Sequence, residues 1–94
     1  MRIRSLVWLP DVVDKLRAKH SLRETEVEQV FRRGPLFRRV ERGRVPGEDL
    51  YAALGRTDAG RYVIVFFVLK KSGDALMVTA RDMDRKERRR YENE

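Results

Sequence analysis

Tyr62-Val63-Ile64-Val65-Phe66-Phe67-Val68-Leu69 is an unbroken apolar run, preceded by Gly60-Arg61 and followed by Lys70-Lys71-Ser72-Gly73. It is far shorter than the roughly 18 to 20 residues that cross a membrane, and its β-branched and aromatic content is that of a strand. A strand with no polar position belongs at the centre of a sheet, so the neighbours must also be strands. The flanks supply them. Asp49 to Thr57 reads as one neighbour, joined through the turn Asp58-Ala59-Gly60. Lys70 to Asp74 makes a hairpin loop, and Ala75 to Arg81 returns as the other. Leu36 to Glu41 also alternates with period two, but Arg38, Arg39 and Glu41 would be costly on a strand covered on both faces, so it is expected at an edge. Arg42 to Glu48, with Gly43, Pro46 and Gly47, is a loop.

Helices precede this meander. Pro10 ends a short strand over Arg2 to Trp8, and Asp11 can cap a helix with an apolar stripe of Val12, Val13 and Leu16. Ser21-Leu22-Arg23-Glu24 has capping-box spacing, which predicts a second helix from Ser21 with Val27, Val30 and Phe31 buried and a stop at Gly34-Pro35. The joint of this helix hairpin is expected at Lys19-His20. Asp84 and Glu87 have the same capping-box spacing and predict a terminal helix from about Arg85. The expected fold class is therefore α+β: an N-terminal strand, a helix hairpin on one face of a largely antiparallel sheet of four to five strands, and a C-terminal helix. The opposite face can remain open. Ninety-four residues make a single domain, residues 1–94.

Composition excludes several chemistries. With no cysteine there is no disulfide, thiolate metal site or cysteine nucleophile. His20 lacks companion ligands, so no metal and no cofactor is expected. No signal-peptide core or membrane span is visible, and a cytoplasmic location is the simplest expectation. The net charge of +7 is concentrated in residues 31–44, where Arg32, Arg33, Arg38, Arg39, Arg42 and Arg44 stand against Glu41 alone. Arginine forks onto phosphate or carboxylate, so this run reads either as a solvated surface or as a patch for RNA or an acidic partner.

The end of the last strand carries the candidate chemistry. Simple alternation places Leu76, Val78 and Ala80 on one side and Met77, Thr79 and Arg81 on the other. Met83, Glu87 and Tyr91 recur every four residues, with Arg88 beside Glu87. Each has two readings. Arg81 can pair with a nearby acid or bind a phosphate, Glu87 can cap the helix or accept a proton, and Tyr91 can pack or donate one. Lys15 and Lys19 can be solvated cations, and His20 a residue of the helix joint.

Ala80-Arg81-Asp82-Met83-Asp84-Arg85-Lys86-Glu87-Arg88-Arg89-Arg90-Tyr91 resembles the terminal signature of the BrnT family of bacterial toxins, an Ala-Arg pair followed by a capped turn and a Glu-Arg…Tyr helix. Trp8 followed by Lys15, Lys19-His20, Val30-Phe31, Leu54-Gly55-Arg56-Thr57 and Gly60-Arg61 agree in order, so the resemblance spans Trp8 to Tyr91. Two departures stand out: Ser21 where the family commonly has glycine, and the arginine-rich Arg38 to Arg44 where an acidic loop is common. The resemblance implies a RelE-like fold and a ribonuclease toxin neutralised by a co-encoded antitoxin, BrnA-like and expected to be a DNA-binding dimer. For catalysis it implies metal-independent attack of the ribose 2′-hydroxyl, with Arg81 as phosphate clamp, Arg88 in support, Glu87 or His20 taking a proton, and Tyr91 or a lysine such as Lys15 donating one. Lys19, Arg61 and the six arginines of 31–44 would face RNA or the partner. The rival readings are a module that binds RNA or the ribosome without cutting, and a degenerate toxin that serves only as corepressor.

Overall fold

In the computed structural model, which describes residues 1–94, the elements are β1 (Ser5–Val7), α1 (Pro10–His20), α2 (Glu24–Arg32), β2 (Leu36–Glu41), β3 (Leu50–Arg56), β4 (Tyr62–Leu69), β5 (Asp74–Asp82) and α3 (Arg85–Glu92). The apolar run is β4, paired on both sides in a five-stranded sheet of order β1-β5-β4-β3-β2. The charged strand β2 lies at one edge, as its arginines require. All pairs are antiparallel except β1 with β5, which are parallel. β1 is shorter than the predicted Arg2 to Trp8. It is pinned where the Ser5 hydroxyl donates to the Asp74 carboxylate at 2.6 Å, a bond that, with those from Ser72 and Arg4, holds the Asp74 carboxyl below its usual range.

The two helices cover one face. Leu16, Leu22, Val27 and Val30 pack on Ala53, Val63, Val65, Phe67, Met77 and Ala80, all essentially sealed from water. Phe67 is the hub, with ring centroids 5.4 Å from Phe31, 6.0 Å from Phe37 and 5.9 Å from Tyr51. Gly55 lets α2 approach β3 closely, since a Cβ there would stand 3.0 Å from the Val30 methyl.

Three local expectations are corrected. Asp11 does not cap α1: Leu9 is the N-cap, Pro10 opens the first turn, and Asp11 lies inside the helix. Ser21 does not cap α2. It ends α1 in the left-handed conformation, φ 51°, with the Leu22 amide donating to the Leu16 carbonyl at 3.1 Å. The α2 cap is Arg23, whose amide donates to Glu26 Oε1 at 3.0 Å, so the box is displaced by two residues and the hairpin joint runs from Ser21 to Arg23 instead of Lys19-His20. A serine held at positive φ is strained where glycine is not. Ser21→Gly should raise stability by about 0.5–1 kcal/mol, read as a higher urea midpoint at unchanged slope.

The third correction decides where Arg81 points. Phe66 pairs with Thr79 and Phe67 with Met77, so Val78 bulges out without an opposite residue. A bulge resets the alternation. Ala75, Met77 and Ala80 therefore all face the helices, and Thr79 and Arg81 share the other face with Ile64 and Phe66. Uninterrupted alternation would have aimed Arg81 to the same side as Met77, into the core.

That second face carries a small cluster, Ala52, Leu54 and Ile64, against which Leu36, Phe66, Met83 and Tyr91 pack. α3 thus covers part of the face that the sequence left open. None of its residues is buried, and its eight residues fall short of the about 12–15 an isolated helix needs, so its docking depends on a few side chains.

Candidate functional site

Arg81 stands beside Ile64 at the end of β5, and the chain turns through Met83 to the N-cap Asp84. The capping box forms as expected: the Glu87 amide donates to Asp84 Oδ1 at 2.7 Å, and the Asp84 amide donates to Glu87 Oε1 at 2.9 Å. Glu87 has a second role. Arg81 donates to Glu87 Oε1 at 2.7 Å and to Oε2 at 2.9 Å, a bidentate fork, and its guanidinium also donates to the Asp82 carbonyl at 3.2 Å. The guanidinium carbon lies 5.6 Å from the centroid of the Phe66 ring. The Arg81 and Glu87 side chains are 37% and 22% exposed, so the pair meets water without being immersed in it.

The hydrogen bonds from Arg81 hold the Glu87 carboxyl below the usual carboxylate range; partial burial opposes them and the Asp84 amide assists. A carboxyl whose folded pKa is depressed contributes stability above the unfolded value, about 4.3, and loses it as pH falls through the folded one. Acidification through that window should therefore loosen α3. Glu87→Gln, which keeps the capping box because glutamine also serves at that position, should remove the share of the pH dependence that Glu87 contributes, leaving that of Asp74, and cost about 1 kcal/mol near neutrality. Thermal melts from pH 3 to 7 read both.

Beyond this pair, Arg88 lies over the Tyr62 ring at 3.9 Å and 3.8 Å from Glu92, while Arg56 approaches the same ring at 4.6 Å. Tyr91 meets Tyr62 edge-on at 6.0 Å, and the Tyr62 hydroxyl donates to Glu92 at 3.2 Å. Arg81, Glu87, Arg88 and Tyr91 are thus brought to one end of one sheet face. Lys15, Lys19 and His20 are not brought there. They belong to α1 in the layer on the other side of the sheet, the two lysines exposed and His20 half-buried at the helix end.

Arg61 also faces that helical layer. It donates to Asp82 at 2.6 and 3.3 Å, to the Ser21 carbonyl at 2.8 Å and to the His20 carbonyl at 2.6 Å, and lies 3.6 Å from Glu26. Of the arginines of 31–44, Arg32 and Arg33 lie at the C-terminal end of α2, Arg38 and Arg39 on the edge strand β2, and Arg42 and Arg44 in the loop that follows it. Arg32 and Arg33 reach Asp58 at 3.4 and 3.7 Å, Arg38 reaches Glu94 at 3.7 Å, Arg39 reaches Asp49 at 3.8 Å, and Arg42 and Arg44 have no ion-pair partner.

Between that edge and α3 lies a groove of about 420 Å³. Its floor is Ala52, Leu54, Ile64 and Phe66. Arg38 and Arg39 form one wall, and Lys86, Glu87 and Arg90 the other. Sequence reasoning did not single out Phe66, Lys86 or Arg90. The four-residue spacing of Lys86 and Arg90 was a visible signal, whereas the exposure of Phe66 depends on where α3 stops covering the sheet. No group of three or more His, Asp or Glu is arranged to hold a metal ion, and no helix is long and apolar enough to cross a membrane.

No family model matches the sequence, and no curated protein matches it. Among solved structures, the 1.1 Å crystal structure of the Brucella abortus ribonuclease toxin BrnT is similar, with a TM-score of 0.61 over 86% of this chain and 97% of that chain at 16% sequence identity. The likeness is one of architecture: this chain has a BrnT-like α+β fold.

Proposed function

We propose that this chain is a ribonuclease toxin that cleaves RNA at the Arg81 end of the open sheet face. The observation that carries the reading is the partly exposed Arg81–Glu87 fork, whose Glu87 lines a basic groove, and the BrnT-like fold and terminal signature support it. A carboxylate held by two parallel N–H bonds marks the geometry in which a phosphodiester would be held. In the reaction the 2′-oxygen forms a bond to the adjacent phosphorus, the bond from phosphorus to the 5′-oxygen breaks, and the products carry a 2′,3′-cyclic phosphate and a 5′-hydroxyl.

The fork gives Glu87 a conditional role. While Arg81 holds it, its lowered pKa makes it a weak base. When a phosphate takes the guanidinium, the largest cause of that lowering is gone, and the carboxylate becomes a better acceptor for the 2′-hydroxyl proton. Arg88 supplies further positive charge, and Tyr91 or a lysine donates to the leaving oxygen. Lys86, on the groove wall, is better placed for this than Lys15 across the sheet. A co-encoded antitoxin with an acidic segment, BrnA-like and DNA-binding, would cover the arginines of the β2 edge.

The engagement of Arg81 by Glu87 also favours a second reading, in which the pair only docks α3 and the protein binds RNA without cutting. One experiment separates the two. The purified protein is incubated in EDTA with an RNA oligonucleotide and with its all-deoxy counterpart, and the ends are identified by mass spectrometry. RNA cut to cyclic-phosphate ends with DNA intact is the expected result. Recovery of intact RNA, or equal cutting of both, would overturn the cleavage reading.

A further inference from the structure

We infer that the groove between β2 and α3 binds a single-stranded nucleic acid, with one base lying on Phe66 and its flanking phosphates held by Arg38 on one wall and by Lys86 and Arg90 on the other. The inference names the conformation of the substrate for the site proposed above, and to that extent it rests on that reading.

The floor and walls differ in chemistry. Ala52, Leu54, Ile64 and Phe66 alternate on the same face of two adjacent strands; the first three are buried, whereas Phe66, paired directly with the small Ala52, is only partly buried and lines the groove. Arg81 approaches that ring at 5.6 Å. The walls are cationic. Lys86 and Arg90 are one helical turn apart on α3, line the groove together and have no ion-pair partner. Arg38, across from them, has only Glu94 at 3.7 Å, an exposed pair that a phosphate can displace. The carboxylates within the groove are committed: Asp84 caps α3 and Glu87 is held by Arg81. An aromatic floor between cationic walls suits a polymer that alternates flat apolar rings with anions.

Size and shape decide between candidates. A volume of about 420 Å³ is on the order of one turn of an α-helix with its side chains, so an acidic helix would seat only a turn. Double-stranded RNA keeps its bases stacked inside and presents none to Phe66. An unpaired strand offers both base and phosphate.

The test uses a fluorescent single-stranded hexamer of 2′-O-methyl RNA, which has no free 2′-hydroxyl and so reports binding without cleavage. Its anisotropy titration is compared with the same hexamer carrying one abasic position, with its duplex, and with an oligoglutamate peptide. The expected order is intact hexamer tightest, abasic hexamer about fivefold or more weaker, and duplex and peptide weaker still. Phe66→Leu, which keeps an apolar floor, should reproduce the abasic loss on the intact hexamer. Arg90→Glu should weaken binding roughly tenfold or more, whereas Arg89→Glu, the same charge change one residue away from the groove, should have a clearly smaller effect. Equal effects of the two arginine variants would mean bulk attraction only and overturn the proposal. Preference for the peptide or the duplex, or indifference to the abasic position, would overturn it as well. Hexamer binding that follows the expected pattern in a protein that leaves RNA intact would sustain the groove and defeat the cleavage reading instead.

Discussion

Arg81→Ala should lower the rate of RNA cleavage by about 10²- to 10³-fold under single-turnover conditions, the range expected when a preorganised donor to a transition-state oxyanion is removed. The variant also leaves the partly buried Glu87 carboxylate without its fork, so α3 would loosen and activity could fall for that reason alone. The geometry supplies a control. In Arg81→Ala/Glu87→Gln no charge is orphaned, and glutamine can maintain the capping box with Asp84. The double variant should recover most of the lost stability and still cut RNA well below the rate of Glu87→Gln alone, the comparison that holds the missing carboxylate base constant. Arg81→Lys should be intermediate in stability yet still well below the wild type in rate, because a point ammonium cannot span two oxygens as the fork does. If the double variant, with unchanged circular dichroism, cut RNA at the wild-type rate, Arg81 would be a docking residue and the clamp assignment would be lost.

The parts of this fold that were legible in the sequence are those set by local pattern. The apolar run Tyr62–Leu69 has one comfortable place, and the charges of Leu36–Glu41 permit only an edge. The Asp84/Glu87 box was legible because both of its bonds close within one turn. The same spacing at Ser21 and Glu24 misled. There, burial of Leu22 and the left-handed end of α1 set the start of α2, and Glu26 does the capping from two residues further on. A capping box names a possibility, and the packing of the preceding element decides whether it is used.

The candidate site was legible in its residue types and illegible in its connections. Nothing local announces the bulge at Val78, which arises from how Phe66 and Phe67 pair with Thr79 and Met77. It alone turns Arg81 to the open face while Ala80 stays in the core. Spacing could assign Glu87 to a cap or to chemistry, but the second use of its carboxylate, across six residues to Arg81, needs the strand end and the helix start to be in place. Lys15, Lys19 and His20 share a chain neighbourhood with conspicuous motifs, yet the sheet stands between their helix and Arg81.

Arg61→Ala should be the most destabilising of these single substitutions, by about 2–4 kcal/mol, a large part of the roughly 5–14 kcal/mol a domain of this length has. From sequence Arg61 read as a cation for RNA or a partner. In the fold its guanidinium ties three elements: the carbonyls of His20 and Ser21 at the end of α1, Glu26 in the first turn of α2, and Asp82, the last residue of β5. Removing it leaves two helix-end carbonyls without that donor and two carboxylates without their counter-charge. Arg61→Lys should restore at most about half of the loss, since an ammonium cannot serve both the carbonyls and the carboxylate fork. Urea unfolding at constant slope measures the effect, and titration of the uncleavable hexamer on the folded fraction should show affinity nearly unchanged. An unaltered midpoint with weakened binding would return Arg61 to the surface role. Because Asp82 follows Arg81 directly and points to the opposite side of the sheet, the clamp beneath also sets the strand end from which Arg81 reaches Glu87, so the cleavage lost in Arg61→Ala should track the fraction unfolded and the looseness of that end, with no separate change in the pH dependence of the reaction.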